Sequence, residues 1–178
     1  MRIISGVHKG KRLIAPKNLP VRPTTDFAKE GLFNILANRI DFDEIEVLDL
    51  FAGTGNISYE FASRGVPKIT CVDAHYGCVK FIQKTATELN FPITAIKSDV
   101  FKYLEKTRIQ VDLIFADPPY IFEKEQFEEI LQKISQNNLL KTEGIFIIEH
   151  PKLTDLSELS GFQEIRKYGG SVFSFFKL

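Results

Sequence analysis

The residues best suited to chemistry in this sequence are Asp117-Pro118-Pro119-Tyr120, which directly follow the apolar run Leu113 to Ala116. Two consecutive prolines hold the backbone extended. The carboxylate of Asp117 and the carbonyl oxygen of Pro118 can then both accept hydrogen bonds from one amino group. This draws the nitrogen of an aromatic amine toward tetrahedral geometry and frees its lone pair to attack an activated methyl group positioned beside it. Tyr120 offers a ring face for a base removed from its stack; the alternative is a rigid turn with a surface acid.

A second candidate site is the glycine-containing turn Asp49-Leu50-Phe51-Ala52-Gly53-Thr54-Gly55, which comes at the end of another apolar run. Glycine lets the backbone approach a ligand closely and adopt positive φ. The dinucleotide pattern Gly-x-Gly-x-x-Gly is broken because Ser58 stands at its third glycine. The turn therefore favours an uncharged nucleoside over a pyrophosphate. Asp49 could receive an ammonium group or a backbone amide, and the alternative for it is a helix or turn cap.

Two further acids follow the next two apolar runs. Asp73 lies 20 residues after Gly53, where a carboxylate can accept hydrogen bonds from both ribose hydroxyls. That placement is shared with NAD-binding proteins, so it indicates a nucleoside without choosing one. Asp99, with the adjoining amide of Val100, could read the edge of an adenine. The alternative for Asp99 is an N-cap, and the two roles can coexist.

An alternation of apolar strands and helices positions these acids. Ligands of an open parallel sheet bind outside the carboxyl ends of its strands, so acids at four such ends should converge. Two extended runs across Gly169-Gly170 predict an antiparallel hairpin. The sequence thus predicts an α/β, Rossmann-like fold: a seven-stranded, mostly parallel sheet with a C-terminal antiparallel hairpin and helices on both faces. The predicted strands are 46–50, 68–73, 93–96, 111–116, 144–149, 162–168 and 171–178, and the predicted helices are 26–38, 56–64, 76–89, 100–106 and 124–136.

The charge distribution sets the N-terminus apart. The chain has 178 residues, 44% of them hydrophobic, and a formal net charge of zero, which suits one globular domain. Residues 1–25 nevertheless hold bases and no acid, so we expect a basic arm or hairpin that binds a polyanion, followed by one domain over 26–178. The alternative is a solvated N-terminus. The bases are Arg2, Lys9, Lys11, Arg12, Lys17 and Arg22.

Other site classes are excluded by residue counts and spacing. Cys71 and Cys78 form no Cys-x-x-Cys pair, and a reduced, cytoplasmic compartment is expected. His8, His75 and His150 show no metal-ligand spacing, so no metal is predicted. No apolar run is long enough for a membrane span, and no apolar secretion signal opens the chain.

These motifs resemble the class I S-adenosylmethionine-dependent methyltransferases. The turn at residues 49–55 is similar to their first motif, and residues 117–120 are similar to their amino-methylating fourth motif. The N-terminus narrows the resemblance to the RsmD family, the bacterial 16S rRNA guanine-N2 methyltransferases, over essentially the whole chain. The segments that carry it are Arg2-Ile3-Ile4-Ser5-Gly6, Lys9-Gly10-Lys11-Arg12-Leu13, Arg22-Pro23-Thr24-Thr25-Asp26, Glu30 and Leu32-Phe33-Asn34.

The resemblance implies methyl transfer from S-adenosylmethionine to the N2 amine of a guanosine in 16S rRNA, either naked or in a small-subunit assembly particle. We expect a monomer, with residues 22–24 helping to close the site. Asp73 stands where many relatives carry glutamate, which shortens its reach to the ribose. The expected catalytic residues are Asp117, Pro118, Pro119 and Tyr120; the cofactor-binding residues Asp49, Phe51, Gly53, Gly55, Asp73, Asp99, Val100 and Thr24; and the RNA-binding residues Arg2, Lys9, Lys11, Arg12 and Arg22.

Several other functions fit parts of the pattern. A DNA adenine-N6 methyltransferase can share the motif at residues 117–120, although such enzymes usually add a target-recognition domain for which this chain has no room. A protein glutamine methyltransferase would be expected to carry Asn in place of Asp117. A nucleic-acid-binding assembly factor without catalysis would not need an acid at all four strand ends. A nicotinamide dehydrogenase is disfavoured by the missing third glycine.

Overall fold

The computed structural model describes residues 1–16, 19 and 24–178. Seven strands form one sheet in the order β3-β2-β1-β4-β5-β7-β6, in which β1 to β5 run parallel and β7 is antiparallel to both β5 and β6. This confirms the predicted Rossmann-like fold. The strands are β1 (Glu46–Leu50), β2 (Lys68–Asp73), β3 (Ile93–Lys97), β4 (Val111–Ala116), β5 (Leu140–Pro151), β6 (Phe162–Tyr168) and β7 (Ser171–Phe176), and the helices are α1 (Asp26–Leu36), α2 (Asn56–Ser63), α3 (Tyr76–Leu89), α4 (Val100–Lys106) and α5 (Lys124–Gln136).

The helices cover both faces of the sheet because successive strand residues point to opposite sides. On β1, Val47 packs with α1, α2 and α3, whereas Leu48 and Leu50 pack with α4 and α5. Asp49 therefore faces the same side as Val47. The central strands β1 and β4 are buried on both faces, as their near-continuous apolar sequences predict, whereas the edge strand β3 has no fully buried residue.

Side-chain caps fix where two of these helices begin. The hydroxyl of Thr25 accepts a hydrogen bond from the amide of Ala28 and starts α1. The carboxylate of Asp99 accepts one from the amide of Lys102 and starts α4. Each cap satisfies an amide that has no partner inside the helix.

The element boundaries differ from the prediction mainly at β5. The predicted strand began at residue 144, but β5 begins at Leu140. The polar residues 141–143 concealed this start, and the backbone there is irregular: Glu143 has a positive φ of 63°, and the pairing with β4 shifts register. Helix α1 ends two residues earlier than predicted, and a short 3-10 turn, Phe42–Glu44, was not predicted.

The first thirteen residues form a hairpin, here called the arm hairpin. Arg2 and Arg12 make an antiparallel bridge. The amide of Ile3 donates to the carbonyl of Lys11 at 2.9 Å, and that of Gly10 donates to Ile3 at 2.9 Å. The Ile3 side chain is buried in the core, so the arm hairpin packs against the domain.

Candidate active site

The carboxyl ends of β1, β2 and β4 surround one cavity of about 510 Å³. Three predicted site acids line it: Asp49, Asp73 and Asp117. The glycine turn and residues 117–120 thus face the same space. This is the arrangement required if residues 117–120 bind an amino group beside a nucleoside held by the turn. Its lining residues are Thr24, Asp49, Phe51, Ala52, Gly53, Thr54, Asn56, Ile57, Asp73, Ala74, His75, Cys78, Phe115, Asp117, Pro118, Pro119 and Tyr120.

The turn between β1 and α2 is built from residues with positive φ. Phe51, Gly53 and Gly55 have φ of 58°, 54° and 80°. A non-glycine residue in this region is uncommon and marks a locally constrained backbone. Gly55 lies behind the cavity, where a side chain would come within 2.9 Å of the Tyr59 ring. It does not line the cavity, and its cofactor-binding role stays a prediction.

Asp73 joins the end of β2 to this turn. One carboxylate oxygen accepts a hydrogen bond from the amide of Gly53 at 2.8 Å, and the other accepts one from the amide of His75 at 2.7 Å. Each oxygen has a second lone pair to offer a ligand. The short side chain is thus held in a fixed orientation at the cavity wall.

Asp49 is buried beneath the same turn. Its carboxylate accepts a 2.5 Å hydrogen bond from the hydroxyl of Ser58, which also lies 2.8 Å from the sulfur of Cys71. Burial raises the pKa of Asp49 to about 7, although the Ser58 hydrogen bond acts in the opposite direction. A cation in the cavity would favour the ionised form.

The diproline corner, residues 117–120, leaves β4 on the side of the glycine turn. The amide of Asp117 donates to the carbonyl of Leu50 on neighbouring β1 at 3.3 Å. The amide of Phe122 donates to the carbonyl of Pro119 at 3.0 Å and closes the turn. Tyr120 remains 44% exposed while lining the cavity, so its ring is accessible from outside.

Glu149 is a buried acid that the sequence analysis missed. It follows Ile148, which pairs with Ala116 of β4, so Glu149 and Asp117 occupy matching positions on adjacent strands. Burial first, and the charges of Glu149 and Asp49 next, raise the pKa of Asp117 well above its usual range. The sequence could have indicated it, because Glu149 ends the apolar run of a fifth predicted strand, as the other site acids end theirs.

Thr24 connects Glu149 with the start of α2. Its hydroxyl donates to the Glu149 carboxylate at 2.7 Å, and its carbonyl accepts a 2.9 Å hydrogen bond from the side-chain amide of Asn56. Thr24 lines the cavity, and its cofactor-binding role stays a prediction. The neighbouring Arg22 lies outside the described residues.

The other predicted ligand-binding residues lie away from the cavity lining. Asp99 and Val100 follow β3, where Asp99 caps α4, so their adenine-reading role stays a prediction. Arg2, Lys9, Lys11 and Arg12 are exposed along the arm hairpin. None of these four lines the cavity.

Among residues 1–16, 19 and 24–178, no group of three His, Cys, Asp or Glu side chains could hold a metal ion. Both cysteines are buried and free. The helices within these ranges are too short or too polar to cross a lipid bilayer.

Comparison with known proteins gives concordant matches. The family model described as "Conserved hypothetical protein 95" matches residues 1–177. A relative in Buchnera aphidicola, named ribosomal RNA small subunit methyltransferase D, is 32% identical over 152 residues, covering 84% of this chain and 75% of its own.

Two solved structures share the fold. A hypothetical protein of Thermus thermophilus superposes with a TM-score of 0.85 at 23% identity, covering 100% of this chain and 99% of its own. The T. thermophilus 16S rRNA N2 G1207 methyltransferase RsmC, solved with AdoMet and guanosine, superposes with a TM-score of 0.71 at 22% identity, covering 89% of this chain and 45% of its own.

Proposed function

The chain belongs to the Conserved hypothetical protein 95 family, which comprises the RsmD-type rRNA methyltransferases, and from this premise we propose that it transfers a methyl group from S-adenosylmethionine to the N2 amine of a guanosine in 16S rRNA. The observation that carries the proposal is that the diproline corner and the glycine turn line one cavity. An amine held by the first would meet a nucleoside cofactor held by the second.

The charges of the cavity fit S-adenosylmethionine better than a dinucleotide. Three carboxylates line it, and no Lys or Arg is among its described lining residues. A sulfonium and an ammonium would be attracted there, whereas a pyrophosphate would be repelled. Its volume of about 510 Å³ lies within the usual range for cofactor pockets.

The cofactor-facing roles follow from the contacts described above. Asp73 would accept hydrogen bonds from ribose hydroxyls through the lone pairs that its two backbone contacts leave available. Asp49 lies under the turn, where its carboxylate would attract a cation. Phe51 and Ile57 add apolar walls. When bound, S-adenosylmethionine supplies an electrophilic methyl group.

The diproline corner would bind and activate the base. The Asp117 carboxylate and the Pro118 carbonyl accept hydrogen bonds from the two N–H groups of the amine, which localises the lone pair on nitrogen. Tyr120 supports the extruded ring by stacking. Asp117 would take the proton that the nitrogen releases on receiving the methyl group. Burial and the charges of Glu149 and Asp49 raise the pKa of Asp117, and the positive charge of a bound sulfonium would favour the ionised form that accepts the proton.

The test is methylation of a 16S rRNA transcript or assembly particle, followed by nucleoside analysis. We expect N2-methylguanosine from the unaltered chain. Methylation of adenine in DNA, with none in rRNA, would refute the proposal. Binding of NAD in preference to S-adenosylhomocysteine would refute the cofactor assignment.

Asp117→Ala is the matching variant. We expect the rate of methyl transfer to fall at least about a hundredfold, because the variant lacks both the hydrogen-bond acceptor for the amine and the group that takes its proton. Binding of S-adenosylhomocysteine, measured by calorimetry, should change little. Equal loss of cofactor binding would show that Asp117 serves the cofactor instead.

A further inference from the structure

We infer that the arm hairpin is a fixed phosphate-binding ridge clamped along α2, and that Glu60 and Ser63 are the residues that position it. The inference rests on the proposed function, since the polyanion is the RNA substrate. It assigns RNA a path along the arm hairpin, from the cavity at the start of α2 toward the end of α2, at the amino ends of the strands.

Glu60 holds the first strand of the hairpin by its backbone. The side chain is fully buried. One carboxylate oxygen accepts a hydrogen bond from the amide of Ile4 at 2.8 Å, and the other accepts one from the amide of Ser5 at 3.0 Å. Arg64 donates to the same carboxylate at 2.9 Å. Hydrogen bonds to an ionised acceptor are the stronger kind, so this contact anchors the hairpin firmly.

Ser63 holds the tip. Its hydroxyl donates to the carbonyl of Ser5 at 2.6 Å and accepts from the amide of His8 at 3.1 Å, while its carbonyl accepts from the amide of Val7 at 2.7 Å. Gly6 lies so close that an added Cβ would stand 1.7 Å from the Ser63 carbonyl oxygen. Only glycine permits this approach.

Lys29 holds the open end of the hairpin. Its buried ammonium donates to the carbonyl of Arg2 at 2.6 Å and to the side chain of Asn56 at 2.9 Å, and it lies 3.5 Å from Glu60. Asn56 is the first residue of α2 and lines the cavity, whereas Ser63 is the last. The hairpin therefore follows α2 for its eight residues, about 12 Å.

The outward side of the ridge is cationic. Lys9, Lys11 and Arg12 are exposed, and no ion pair is found for them within the described part of the chain. Arg2 differs, because it pairs with Asp26 at 3.1 Å. Three cations carried on a fixed backbone suit the regularly spaced phosphates of RNA. Fixing them beforehand also lowers the entropy cost of binding.

Two glycines in the hairpin provide a matched test. Gly6 and Gly10 have φ of 82° and 84°, but nothing lies within 4 Å of a Cβ on Gly10. Both alanine variants carry the same backbone strain, and only Gly6→Ala collides with α2. We expect Gly6→Ala to lower the log–log salt slope of binding to a 16S rRNA transcript by about 2, at about 0.7 for each of three phosphates. Gly10→Ala should keep the slope, and both should keep S-adenosylhomocysteine binding.

A double-mutant cycle adds a second readout. Replacing Lys9, Lys11 and Arg12 by Gln should cause the same loss of slope, and adding Gly6→Ala should then change nothing further. If Gly6→Ala fails to fold, Ser63→Ala replaces it, since that change removes only the two side-chain hydrogen bonds. The inference would be overturned if the losses of salt slope from Gly6→Ala and from the triple Gln variant added together. It would also be overturned if either of these two variants left the slope unchanged. Absence of salt-dependent rRNA binding by the unaltered chain would instead refute the proposed substrate.

Discussion

Asp49 is a buried acid whose ionisation opposes folding. Burial raises its pKa from the ordinary 3.8 to about 7. Between these two values the folded chain binds more protons than the unfolded chain. The free energy of unfolding therefore falls as pH rises through this window and levels off above it. Because the ionised Asp49 lowers the free energy of unfolding at neutral pH, an acid at this position is better explained by ligand binding than by stability. The cavity beside it is where a cationic ligand would bind.

We predict that Asp49→Asn is more stable than the unaltered chain at about pH 8, and that the difference shrinks toward about pH 3, where the carboxyl is largely protonated in both states. Urea unfolding at the two pH values measures this. The same variant should bind S-adenosylmethionine more weakly, because the cation loses its partner. Asp43→Asn, on an exposed acid, is the control. A stability difference that does not vary with pH would contradict the assignment of the buried charge to Asp49.

At the scale of elements, Thr24 joins the segment before α1 to the end of β5 and the start of α2. We predict that Thr24→Val, which removes the hydroxyl while keeping the shape, lowers the free energy of unfolding by about 1–3 kcal/mol, because the buried Glu149 loses a donor. Thr24→Ser keeps the donor and should restore most of the loss. Equal destabilisation by both variants would show that the methyl group, and not the hydrogen bond, matters.

The order and bounds of most elements could be predicted because apolar periodicity and strand-end acids are local signals. Strands β1, β2, β4 and β6 and helices α3, α4 and α5 have the predicted bounds. The network of Lys29, Glu60 and Asn56 could not be predicted, since it joins residues distant in sequence whose types usually indicate solvent exposure. The start of β5 was missed for a different reason: Leu140 pairs with Val111 of β4, but the polar residues 141–143 that follow lie in a register shift and give no apolar strand signal.

At the scale of the whole molecule, β7 completes the sheet. All six of its residues are buried, and it pairs with both β5 and β6. Ser174 also shares a 2.7 Å hydrogen bond with the buried His150 on β5.

We predict that a chain ending before Ser171 accumulates as aggregate, because β5 is left as a long apolar edge. Lys177→Ala, which removes an exposed ion pair with Glu143, should cost no more than about 1 kcal/mol. Sedimentation and thermal unfolding of both variants measure these effects, and a soluble, folded truncation would contradict the prediction.

The position of β7 also governs when folding can finish. Strand β5 meets its antiparallel partner only at residues 171–176, after the β6 strand has been placed between them in sequence. Until those residues dock, β5 keeps an open hydrophobic edge, and a chain that is folded only through β5 is prone to associate with other chains. Docking of β7 is therefore the step that ends this exposure.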